Sequence, residues 1–111
     1  MIDSSTIVKL TQTHLEKGTP ITFLTADECP QDDLGRVSRD NSDMVSDIIE
    51  SSDPRYRTTG TEVNAGVYCF KSSWLWPELR LLEASPTGEF YITSLISVAR
   101  SQSKKINSLT L

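Results

Sequence analysis

The sequence predicts an α/β fold built on a mixed sheet, and three observations carry that expectation. Segments with helical periodicity alternate along the chain with short β-rich runs. Two of those runs, GRVSRD and MVSDIIE, are joined by NSD at 41–43, turn chemistry that marks a β-hairpin inside the alternation. The 111 residues suffice for one modest domain with its own core.

Each element has a local reason. Asp3, Ser4 and Ser5 offer N-caps for a first helix running to about Lys17. Ile7, Leu10 and His14, with Val8 and Leu15 beside them, give it a semi-apolar stripe. Gly18 suits the left-handed residue that closes a helix, and Pro20 prevents continuation. ITFLT (21–25) is a short strand, and the polar ADECPQDD (26–33) is loop. The hairpin follows, and SSDPRYRTTG (51–60) is loop or a short irregular helix. EVNAGVYCF (62–70) is a strand with Val63, Ala65, Val67 and Cys69 on one side and Asn64, Gly66, Tyr68 and Phe70 on the other.

KSSWLWPELRLL (71–82) begins a helix capped by Ser72 or Ser73, with Pro77 in its first turn, because deeper it would break the hydrogen-bond ladder. SPTG (85–88) is a turn. From about Glu89, residues Ile92, Leu95, Ile96 and Ala99 follow the i, i+3, i+4, i+7 rule, with Thr87 as cap and Glu89 in the first turn. KINSLTL closes the chain as a last strand or a frayed tail.

Composition narrows the function. The net charge of −4 argues against a nucleic-acid partner, since phosphate backbones call for a basic face. Lys104 and Lys105, a basic pair, suit a solvated helix end. No apolar run approaches the ~20 residues of a membrane span. MIDSSTIVKL lacks the basic start and long apolar stretch of a signal peptide, so a soluble, cytoplasmic protein is expected. Cys29 and Cys69 have no metal-ligand spacing; Cys69 reads as a small core residue and Cys29 as a loop thiol. His14, the only histidine, stands outside any triad or zinc pattern. No phosphate-cradling glycine motif occurs, and no acid pair is placed for a metal.

The strand EVNAGVYCF raises the sharper question. An amide at Asn64 and no side chain at Gly66, on one face, suit a ligand that needs donor, acceptor and room. The same pair also suits a β-bulge with Asn64 bonding backbone. Glu50, at a strand end, can accept from adjacent hydroxyls or simply be solvated. Gly35 suits either a special backbone angle or a close ligand approach. Arg36 and Arg39 can meet phosphate, though outward-facing strand arginines are commoner.

In order, these segments resemble the sugar-1-phosphate nucleotidyltransferases, and most closely the uridylyltransferase domain of bifunctional UDP-N-acetylglucosamine pyrophosphorylase / glucosamine-1-phosphate acetyltransferase. LGRVSRD (34–40) is similar to the family's aromatic-Gly-Arg-Ile/Val-x-Arg-Asp segment, and DIIESSD (47–53) to its Ile-Val-Glu-x-x-Asp. EVNAGVYCF resembles its Glu-Ile/Val-Asn-x-Gly-Ile/Val-Tyr strand, and TGEFYITSLISVA (87–99) its Gly-Glu-Tyr-Tyr-Leu/Ile-Thr-Asp helix entry. Leu34 stands where an aromatic is common, and Ser94 where the family usually has Asp.

The resemblance implies a partial Rossmann-like, glycosyltransferase-A-like sheet over residues 1–111, the sugar-binding half of a domain about twice as long. It implies that Asn64 contacts the sugar while Gly66 gives it room. Gly35 offers backbone to the N-acetyl-sugar, Glu50 binds sugar hydroxyls, and Thr93 lies on the sugar-phosphate side of the cleft. It implies Mg²⁺ in the complete enzyme, and none bound by this chain alone. The family's Gly-rich nucleotide loop, basic residue and metal ligands lie outside the matched region, so a fragment without turnover is expected, with no catalytic residue of its own. Another sugar-phosphate thymidylyl- or guanylyltransferase, or a non-catalytic sugar-phosphate-binding or interaction module, are the alternatives. A truncated sheet exposes an edge, so a homodimer is expected.

Overall fold

The computed structural model describes residues 2–27, 34–82, 88 and 90–111. In chain order the elements are α1 (Ser4–Lys17), β1 (Ile21–Ala26), β2 (Arg36–Arg39), β3 (Val45–Ile49), a 3₁₀ turn (Tyr56–Thr58), β4 (Val63–Phe70), α2 (Ser72–Leu81), α3 (Ser94–Ser101) and β5 (Ile106–Thr110). The strands form one sheet in the order β3-β2-β4-β1-β5. β1 runs parallel to β5 and antiparallel to β4, and β2 runs antiparallel to β3 and β4. The α/β mixed sheet and the β2–β3 hairpin are therefore as the sequence predicts, and the closing segment is a strand.

Alternation along β1 separates the two faces. Ile21 and Phe23 join Val37, Val45, Ile48, Ile106 and the α3 residues Leu95, Ile96 and Ala99 in one buried cluster. Each of these side chains larger than alanine contributes roughly 1.5–3 kcal/mol by leaving water. Thr22 points the other way, where His14 Nδ1 of α1 lies 2.8 Å from its hydroxyl. The helices α1 and α3 thus cover opposite faces.

Asp3 caps α1 by accepting the Thr6 N–H at 2.9 Å, and Gly18 closes it at φ 66°. The stripe is narrower than the pattern suggests. Leu10 is buried, whereas Ile7, Val8 and Leu15 are exposed, Leu15 at 80%.

Four expectations are corrected. Pro77 lies in the second turn of α2, not the first, and neither Ser72 nor Ser73 caps: Lys71 holds the cap position without a side-chain bond. The ladder bond that proline forfeits is offset by tertiary anchoring. Trp74, Leu75 and Leu79 pack on the core, Trp74 Nε1 donates to Gln102 Oε1 at 2.8 Å, and Gln102 Nε2 donates to Glu78 Oε1 at 2.7 Å. The helix expected from about Glu89 begins at Ser94, and Ile92 is 46% exposed in the turn before it. Cys69 is only half-buried, because its face of β4 lies opposite the core. The 51–60 segment holds a single 3₁₀ turn. Cys29, Thr87 and Glu89 lie outside the described residues, as does most of SPTG.

Candidate functional site

The site begins with an irregularity in β4. Phe23 pairs with Tyr68, but two residues further along β1, Thr25 pairs with Asn64. Leu24 therefore faces three residues, 65 to 67, and β4 bulges there. Gly66 sits in the bulge at φ 80°, a left-handed backbone that favours glycine. An added Cβ on Gly66 would meet no atom within 4 Å. The backbone angle, rather than a crowded neighbour, is what asks for glycine here.

Asn64 is held at both ends of its amide. Its Oδ1 accepts the Gly66 N–H at 2.9 Å, and its Nδ2 donates to the Tyr68 hydroxyl at 2.6 Å. The bulge reading and the polar-site reading are thus the same structure. Tyr68 is stacked on Phe23 at 5.7 Å and on Phe70 at 5.5 Å between ring centroids. Burial, aided by the nearby Glu50 charge, pushes the Tyr68 phenol up to about 12, so its hydroxyl stays protonated. Sequence reading missed Tyr68 as a partner of Asn64. Same-face spacing of four in a strand was the available clue.

Gly35 and Glu50 meet across the open end of the hairpin. An added Cβ on Gly35 would lie 2.6 Å from Ile48 Cγ2 and 3.4 Å from Glu50 Oε2. Here glycine is demanded by close approach. The Gly35 carbonyl accepts the Asn64 N–H at 2.8 Å, joining this corner to β4. Thr93, just before α3, donates its hydroxyl to Glu50 Oε1 at 2.7 Å and makes no capping bond. One side chain thereby joins the start of α3 to the end of β3.

Gly35, Glu50, Asn64, Gly66 and Thr93 all line one cavity of about 430 Å³, completed by Leu34, Ala65 and the aromatic turn at Phe90 and Tyr91. It opens at the edge where β1 and β3 end and β2 and β4 begin. The structure brings together every residue singled out for substrate binding.

The two arginines stand elsewhere. Arg39 donates to both Glu62 carboxylate oxygens, at 2.8 and 2.9 Å, and to Ser108 Oγ. That pairing holds the Glu62 carboxyl below the usual range and the Arg39 guanidinium above its own. Arg36 lies 4.1 Å over the Tyr56 ring and donates to the Tyr56 carbonyl. Both have protein partners, as outward-facing strand arginines do. Among the described residues no three of His, Cys, Asp and Glu are grouped to hold a metal ion. Among them, too, no helix is long and apolar enough to cross a membrane.

A mixed α/β sheet with a polar pocket over its strand ends places the chain among the α/β proteins of Rossmann-like build. No family model matches it. The chain is similar to a segment of the bifunctional GlmU proteins. It is 32% identical over 110 residues to that of Lactobacillus delbrueckii subsp. bulgaricus, covering 97% of this chain and 24% of the relative. It is 35% identical over 111 residues to that of Clostridium beijerinckii, with 98% and 24% covered. For Heliobacterium modesticaldum the values are 31% over 113 residues, 100% and 25%. The chain thus spans about a quarter of the length of the curated relatives it matches, and the resemblance to the bifunctional nucleotidyltransferases is borne out as a partial one.

Proposed function

We propose that the cavity holds the sugar ring of a UDP-N-acetylglucosamine-type substrate, N-acetylglucosamine 1-phosphate, and that the chain is the sugar side of a uridylyltransferase. One observation carries this reading. Residues from four separate segments, chosen by their resemblance to a sugar-nucleotide family, line a single pocket. Similarity to bifunctional GlmU proteins supports it.

The chemistry suits the ligand. The Glu50 carboxylate accepts from sugar hydroxyls, and the remaining Asn64 amide donor and acceptor capacity serves a neighbouring hydroxyl or the acetamido group. Thr93 turns a hydroxyl toward the phosphate side while keeping Glu50 in place. The reaction served is attack of a sugar-phosphate oxygen on the α-phosphate of UTP with loss of pyrophosphate, in which positioning is most of the catalysis. Mg²⁺ would neutralise charge in the complete enzyme. These 111 residues contain no Gly-rich nucleotide loop, so binding without turnover is expected.

Isotope-labelled chain titrated with N-acetylglucosamine 1-phosphate should show saturable amide shifts around residues 35, 50, 64 and 93. Glu50→Gln and Asn64→Ala should each weaken binding roughly 10- to 100-fold. Adding UTP and Mg²⁺ should release no pyrophosphate. Absence of any shift at those residues would remove the reading, and pyrophosphate release would remove its no-turnover part.

A further inference from the structure

We propose that Tyr56 is a positioning residue for the pocket, acting through the peptide bond between Leu34 and Gly35; this rests on the sugar-pocket reading above. Tyr56 opens the 3₁₀ turn and is buried. Its hydroxyl donates to the Leu34 carbonyl oxygen at 2.8 Å. Its own carbonyl accepts from Arg36 Nη1 at 2.9 Å, and its ring carries the Arg36 guanidinium. The residues on both sides of Gly35 are thus tied to one tyrosine.

The consequence lies in peptide geometry. The Leu34–Gly35 bond is trans, so its N–H points away from the oxygen that Tyr56 holds. That N–H belongs to Gly35, which lines the cavity, and it has no hydrogen-bond partner among the described residues. The Gly35 carbonyl, by contrast, is taken by Asn64. Tyr56 therefore fixes the direction of a backbone donor at the pocket wall that no described residue takes up. Such a donor suits a ligand oxygen, either a hydroxyl or an acetamido carbonyl. Among the described residues no other bond holds the Leu34 carbonyl, and glycine offers wide freedom to turn once that bond is removed.

The test uses the whole chain with N-acetylglucosamine 1-phosphate as probe. In the wild type, the Gly35 amide proton should move downfield on titration, together with shifts at Asn64 and Thr93. In Tyr56→Phe, which keeps the ring beneath Arg36, the Gly35 response should disappear while Asn64 and Thr93 still respond. The dissociation constant should rise about five- to tenfold. A Tyr56→Phe chain that binds as tightly as wild type with the Gly35 response intact overturns the proposal. So does a wild-type titration that moves Asn64 and Thr93 but not Gly35, and that result leaves the sugar-pocket reading standing. If none of the three responds in wild type, that reading falls and the proposal falls with it. The wild-type arm depends on no variant folding.

Discussion

Two glycines of the pocket need to be glycine for different reasons, and substitution should tell them apart. At Gly35 an alanine methyl would collide with Ile48 Cγ2 at 2.6 Å and crowd Glu50. Gly35→Ala should cost about 1–3 kcal/mol in urea denaturation, as overpacking does, and weaken sugar-phosphate binding as Glu50 shifts. Gly66→Ala meets open space and is strained only by its φ of 80°, so about 1–2 kcal/mol is expected with no collision to relieve. A Gly35→Ala chain as stable as the wild type would show that Ile48 yields freely. At this scale the sequence was informative about which residues matter and less so about why. Asn64 and Gly66 stood out because polar and side-chain-free positions are unusual in a β-rich run. The sequence offered a β-bulge at Asn64 and Gly66 as an alternative but not its three-residue size, because the number of residues in a bulge depends on the partner strand. Tyr56 left no trace in periodicity, since its partner Leu34 is 22 positions away.

The helices divide by how local their causes are. α1 was readable because its cap, its closing glycine and the proline beyond it act within a few residues. α2 was misread because Pro77 is tolerated through contacts with Gln102 and the core, which lie far along the chain. The start of α3 was placed too early because Ile92 fits the apolar period yet faces solvent. The α1 cap also has a pH signature. The Thr6 backbone N–H, with the Ser5 and Thr6 hydroxyls, lowers the Asp3 carboxyl from 3.8 to about 2. A depressed carboxyl contributes stability above its unfolded value and loses it as pH falls toward the folded one. Acid titration followed by circular dichroism should therefore show helix loss between about 3.8 and about 2. Asp3→Ala should lower helix stability at neutral pH and flatten the response in that window. An unchanged acid profile would place the titration elsewhere, for instance at Asp53, which its bond with Arg55 also lowers to about 2.

At the scale of the whole molecule, the sheet has two edges, β3 and β5. The surface also carries exposed large apolar side chains, among them Leu15, Trp76, Leu81 and Phe90. We propose that the chain pairs with a second copy, since open edges and apolar surface favour association. Size-exclusion chromatography with light scattering should give about twice 12.4 kDa at high concentration, and a clean monomer there would dismiss the pairing. The fold class was legible because it follows from the alternation of periods. The strand order was not, since β1 ends up between β4 and β5, and those pairings join residues 37 to 85 positions apart.

The bulge in β4 carries one more implication. Three residues opposite one is a surplus of two, and an even surplus leaves Tyr68 on the same side of the sheet as Asn64. Deleting a single residue between 65 and 67 would make the surplus odd. Two residues would then stand opposite Leu24, an ordinary bulge, so Tyr68 and Phe70 would keep their pairing with Phe23 and Ile21 while the turn between Asn64 and Tyr68 tightened. Length in this segment therefore shapes the cavity wall rather than the facing of the sheet, since one residue fewer still leaves a bulge of the common kind.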